Sequence, residues 1–95
     1  MINKEILQKA IDTYDEISQL EMIKEEAMEL ALSIQKAGRS NNDKDDKKIL
    51  ANIYNELANM KIMLAQAELI FDTDKIDKRV EFKMNHLEQR LKKYE

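Results

Sequence analysis

The sequence predicts an all-α fold, and three observations carry that expectation. Glycine occurs once and proline not at all in 95 residues, so the punctuation a β-rich chain needs is missing. Apolar residues make up 43% and charged residues 37% of the chain, and the apolar ones recur at the three- and four-residue spacing of helices with one wet side. At about 150 residues per domain, the length predicts one domain, 1–95.

The first helix is expected from Lys4 to Thr13, because Ile6, Leu7, Ala10 and Ile11 recur at helical spacing behind a capping residue, Asn3. A break comes next at Tyr14 to Glu16, and the second helix then runs to Ala37, where Gly38 stands as a C-terminal stop. Arg39 to Asp46 is polar, rich in asparagine and aspartate, and reads as a loop whose aspartates cap the next helix. The third helix is expected from near Asp45 to Phe71, and Asp72, Thr73 and Asp74 cap a fourth, Lys75 to Lys93. Ile76, Val80, Met84, Leu87 and Leu91 mark the side of that helix expected to be buried, and its last turn is basic, which suits the negative end of the helix dipole. The seams do not keep a seven-residue repeat long enough to predict a coiled coil.

Five aromatic side chains and six methionines imply an aliphatic core of limited size, for which self-association is the expected remedy. Acids and bases interleave to a net charge of -3, leaving no basic stripe for duplex nucleic acid. The absence of cysteine excludes disulfides, zinc–thiolate sites and cysteine nucleophiles. No apolar run approaches the roughly 18 residues of a membrane span, and the opening residues lack the order of a signal peptide. A cytoplasmic location is expected.

The second helix carries Glu25, Glu26 and Glu29 within about a quarter of its circumference, with Ile23, Ala27, Leu30 and Ile34 opposite, by a wheel of 100° per residue. Met22 lies among the acids, and Met28 and Leu32 flank them. A solvated helix side mixes lysine with glutamate at four-residue spacing, whereas this stripe holds no base, so Glu25 and Glu29 repel unless a cation offsets them. The third helix aligns Asn52, Asn55, Glu56, Asn59 and Gln66 on one side. Asparagine is a poor helix former, and three of them on one side point to hydrogen bonding with something specific, or to amide bonding between helices. If the two helices pack antiparallel, Glu25, Glu26, Glu29 and Glu56 share one groove. Such an oxygen set suits Mg²⁺ or Mn²⁺, which bring phosphates with them.

Glu25-Glu26-Ala27-Met28-Glu29 on one helix, with Glu56-Leu57-Ala58-Asn59 on the next, resembles the MazG-like all-α nucleotide pyrophosphohydrolases, whose pattern is EExxE and then ExxD. The likeness covers nearly the whole chain and is similar to small phage and bacterial members in the approach through Gln19, the KIMLAQAELIFD stretch and the lysine-rich last helix. The resemblance implies a four-helix bundle assembled as a dimer or tetramer. In it, Glu25, Glu26, Glu29 and Glu56 hold Mg²⁺ or orient a water, with Glu25 and Glu26 catalytic. Water attacks a phosphorus of an NTP or dNTP, leaving a monophosphate and pyrophosphate. Lys83 matches a basic position used toward phosphates, and His86 stands where relatives often have arginine. Asn59 replaces the pattern's aspartate, and Asn55 is neutral too; an amide offers a carbonyl oxygen but neither charge nor a base. The resemblance is compatible with two functions: a Mg²⁺-dependent NTP pyrophosphohydrolase of reduced activity, or a non-hydrolytic sponge in which Asn52, Asn55, Asn59 and Lys83 hold a nucleotide or nucleotide-derived signal. A helical module docking a basic protein is a third expectation, supported by the apolar borders of the stripe.

Overall fold

The structure, a computed structural model, describes residues 1–38 and 43–95, with side chains from 46 onward in the second stretch. Among the described residues it is all-α: four helices and no strand, namely α1 (Lys4–Tyr14), α2 (Glu16–Ala37), α3 (Asp43–Ile70) and α4 (Thr73–Lys92). None of these helices is long and apolar enough to cross a membrane.

Asn3 caps α1 as its side chain predicts, accepting from the N–H groups of Glu5 and Ile6 at 3.0 and 3.2 Å and so satisfying two of the donors a helix start leaves free. Asp15 both ends α1 and starts α2. Its N–H donates to the Ile11 carbonyl at 2.9 Å, while its Oδ1 accepts from the Ser18 N–H at 2.8 Å. The backbone there has φ 71° and ψ 162°, a region nearly reserved for glycine that costs another residue about 1–3 kcal/mol; the cap offsets roughly 1 kcal/mol of it. The break expected at Tyr14 to Glu16 is thus one residue, Asp15.

Gly38 comes directly after the end of α2, but its backbone is right-handed, with φ -72°, so no left-handed turn requires glycine. A Cβ there would meet nothing nearer than the Gln35 carbonyl at 3.6 Å. α3 begins at Asp43, two residues before the expected start. The rest of the expected loop, Arg39 to 42, and the side chains of the aspartates expected to cap at 43–45 lie outside the described residues. At the next corner, Asp72 Oδ1 accepts from the Lys75 N–H at 3.3 Å and Thr73 Oγ1 donates to the Glu68 carbonyl at 2.8 Å.

α2 and α3 form an antiparallel hairpin, and α1 packs on both. Along α3, Ile49, Ile53, Glu56, Met60, Met63, Ala67 and Ile70 are covered at alternating steps of four and three, as knobs facing a partner helix are, and toward its end Ala65, Gln66 and Leu69 are covered as well. On α2 the matching positions are Gln19, Ile23, Glu26, Leu30 and Ser33. Polar groups occupy places where leucine is usual: Gln19, Ser33 and Gln66 are only 2, 1 and 1% exposed, beside buried Leu7, Ile11 and Met63. The expected face of α2, centred on Ala27 and Ile34, is therefore turned by about 50° toward the glutamates on the 100° wheel. Ala27 and Ile34 are exposed instead.

Within one chain the expected four-helix bundle is three packed helices and a fourth that stands off. Among the described residues α4 buries no side chain and packs along none of the other helices. Its apolar stripe, expected to be covered, is open at Val80, Met84, Leu87 and Leu91, with Ile76 half-buried.

Candidate functional site

The rotation of α2 is what builds the site. It carries Glu26 into the α2–α3 seam opposite Glu56, which sits in the middle of the covered stripe of α3. Glu29, one turn along α2, stays exposed at the edge. Glu26, Glu29 and Glu56 each bring a carboxylate oxygen within 4.8 Å of the other two. Two of the three side chains are half-buried. Glu26 Oε2 and Glu56 Oε2 are sealed from solvent and lack a hydrogen-bond partner among the described residues.

Buried acceptors are normally satisfied, and a charged one left unpaired is expensive. Two such oxygens, on carboxylates that approach within 4.8 Å, are groups that a cation could relieve. The all-oxygen donor set is of the kind a hard divalent ion takes; Mg²⁺ binds oxygen at about 2.1 Å, so neighbouring ligands of its octahedron stand about 3.0 Å apart, and the three carboxylates, within 4.8 Å of one another, would have to close in to hold it.

Beside the trio lies an open cleft of about 170 Å³ lined by Glu29, Leu32, Ser33, Lys36, Asn52 and Glu56. Asn52 crosses the seam there, its Nδ2 donating to Ser33 Oγ. Lys36 places a cation seven residues from Glu29, on the same side of α2. Ser33 and Lys36 were missed by sequence reasoning. The signal that finds them is the seven-residue step from Glu26 and Glu29.

The other sequence-predicted residues lie elsewhere. Glu25 is exposed on the outer side of α2 and is not among the converging carboxylates. Its neighbour Lys24 turns to Glu21 at 2.6 Å; that hydrogen bond, with the Glu21 charge and then that of Glu25, raises the ammonium pKa above its ordinary value. Asn55 and Asn59 are exposed on α3. Gln66 is buried, and its Oε1 has no partner among the described residues. Lys83 is exposed on α4, outside the cleft lining, and His86 leans on Phe82 with ring centroids 4.9 Å apart.

Compared with known protein families, curated proteins and solved structures, the chain matches none.

Proposed function

We propose that this chain binds a nucleotide through a hard divalent cation held by Glu26, Glu29 and Glu56, and acts as a Mg²⁺-dependent NTP pyrophosphohydrolase of reduced activity. The observation that carries the reading is the convergence of three carboxylates from two helices, with two oxygens sealed and unpartnered. The MazG-like pattern on the same residues supports it. When bound, Mg²⁺ or Mn²⁺ neutralises phosphate charge and makes a coordinated water more acidic.

The chain's own residues supply the rest. Glu26 and Glu56 hold the inner side of the ion site, and Glu29, at the solvent edge, is placed to accept a hydrogen bond from the attacking water. Glu25 stands apart, so the water-orienting role assigned to it by resemblance passes to Glu29. Lys36 offers its ammonium to the phosphates from the cleft rim. Water would add to the α-phosphorus, giving its proton to the Glu29 carboxylate as the α–β bridging oxygen leaves with pyrophosphate, and the monophosphate remains. Asn59, exposed on α3 outside the cleft lining, stands where the resemblance puts an acid and can accept no proton; the reduced activity rests on that resemblance. In this reading the chain is a homo-oligomer, a dimer or tetramer, working in the cytoplasm where nucleotides and Mg²⁺ coincide.

Nucleotide affinity and pyrophosphate release, each measured with Mg²⁺ and with chelator, test the proposal. Glu26→Gln is expected to lower metal-dependent affinity at least tenfold, about 1.4 kcal/mol. If wild type binds nucleotide no better in Mg²⁺ than in chelator, or the variant binds as tightly as wild type in Mg²⁺, the assignment is removed.

The neutral, exposed amide of Asn59 favours a second reading, a sponge that sequesters a nucleotide or nucleotide second messenger, linear or cyclic, without hydrolysing it. Stoichiometric binding with no pyrophosphate release separates the two.

A further inference from the structure

We infer that Met22 is a reversible oxidation site: a hydroperoxide converts its thioether to a sulfoxide, and the new oxygen takes over as acceptor for the buried amide of Gln19. The inference goes beyond the nucleotide reading and does not rest on it.

Every sulfur in this chain belongs to methionine, since it holds six methionines and no cysteine. Their surroundings differ. Met63 is buried and Met60 half-buried on the covered side of α3, where an added oxygen would have to displace packed side chains. Met28 and Met84 are exposed, and oxidation there places a polar atom in water. Met22 is 42% exposed, so a small oxidant reaches it, and among the described residues its sulfur is the one that accepts a hydrogen bond, from Gln19 Nε2 at 3.7 Å.

The second observation is the state of that donor. Gln19 is only 2% exposed, yet its amide nitrogen is given to a thioether, which is a weak acceptor. Buried amides normally find an oxygen. Gln66 Oε1 is a buried oxygen without a partner among the described residues, so the Gln19 amide is not spent on it. A buried donor is therefore held against an atom whose acceptor strength depends on its oxidation state.

In the oxidation step the sulfur lone pair attacks one oxygen of the hydroperoxide and the O–O bond breaks. The other oxygen takes the proton and leaves, as water when the oxidant is hydrogen peroxide. Sulfur loses two electrons and the peroxide gains them. An oxygen added on the side of Sδ that faces Gln19 meets the amide nitrogen at about 2.9 Å with the 3.7 Å N···S separation unchanged, the bond bent at oxygen. The sulfoxide is chiral, and the other epimer turns its oxygen away from the amide. Oxidation of a packed methionine disrupts its surroundings, whereas oxidation of Met22 in the first epimer replaces a weak acceptor with a strong one.

Trypsin releases residues 10–24 with Met22 as their one methionine, so peptide mass spectrometry after liquid chromatography reads both epimers at this position. The folded full chain is oxidised with dilute hydrogen peroxide and treated with methionine sulfoxide reductases, one enzyme for each epimer. Relative to the isolated oxidised 10–24 peptide, one epimer is expected to be reduced about three- to tenfold more slowly in the folded chain, the factor that a net hydrogen bond supplies. Gln19→Leu is expected to remove the difference between epimers. Equal slowing of the two, or a difference that survives Gln19→Leu, overturns the inference. Urea unfolding gives a test that leaves Gln19 in place. In a Met28→Leu/Met84→Leu chain, the slow epimer, left after the other has been reduced, is expected to unfold at a higher urea midpoint than the unoxidised chain. An unchanged or lower midpoint overturns the inference.

Discussion

Replacing Glu56 with glutamine should make the metal-free protein more stable while removing its response to Mg²⁺. Three carboxylate oxygens lie within 4.8 Å of one another, and unit charges at that separation repel by about 1 kcal/mol in water and about 3 kcal/mol at an effective dielectric of 20. Glu56 belongs to two of the three pairs. Because Glu29 is exposed and screened, the water-side figure applies, and the gain is about 1–2 kcal/mol. For a domain of this size each kcal/mol raises the melting temperature by roughly 4–8 °C. In wild type, Mg²⁺ at about a hundredfold its dissociation constant should add about 2.7 kcal/mol. The variant, lacking one ligand of three, should gain little. Thermal and urea unfolding at one fixed chain concentration, in chelator and in Mg²⁺, read both effects. A variant that loses stability in chelator, or that keeps the full Mg²⁺ gain, refutes the view that these carboxylates are held against their repulsion for a cation.

Restoring an acid with Asn59→Asp should raise pyrophosphate release at least tenfold, about 1.4 kcal/mol off the barrier; unchanged release would place the loss of turnover elsewhere. Asp15→Ala should destabilise the chain by about 1 kcal/mol through loss of the Ser18 cap, while Asp15→Gly recovers part of this by relieving the backbone. Urea midpoints compare the two, and equal midpoints would remove the strain argument. Gly38→Ala should be stabilising by about 0.4–1 kcal/mol, since its backbone is right-handed and the space is open. A lower midpoint would show that the chain needs glycine there after all.

The helices were legible because punctuation is so scarce. Asn3, Asp15 and Asp72 each cap a helix near where the sequence breaks pattern, and the lone glycine stands at the end of α2. Which side of α2 faces inward was not legible from its apolar residues. Ile34 and Ala27 point to one side, but Gln19, Glu26 and Ser33 take seam positions and turn the helix away from it. Hydrophobic periodicity cannot register seam positions filled by polar side chains, and for the same reason the alternating four-and-three spacing of α3 is hidden at Glu56. The difference between Glu25 and Glu26, adjacent and chemically identical, is set entirely by that rotation. The stand-off of α4 was also beyond reach, because an amphipathic stripe looks the same whether its own chain or another covers it.

Methionine-rich stripes can slide along one another, since flexible thioether chains repack readily. The amide of Asn52 and the hydroxyl of Ser33 slide less readily, because Ser33 is closed off from water and breaking their bond forfeits a hydrogen bond across the seam. This contact lies one helical turn from Glu29 on α2 and one from Glu56 on α3, and it works as an index pin for the hairpin. A shift of one turn, about 5.4 Å, would carry the acids of one helix past those of the other. The alignment of the charged groups is thereby kept by a neutral pair, and polishing that pair away to aliphatic side chains would trade a tuned spacing for a smoother hinge.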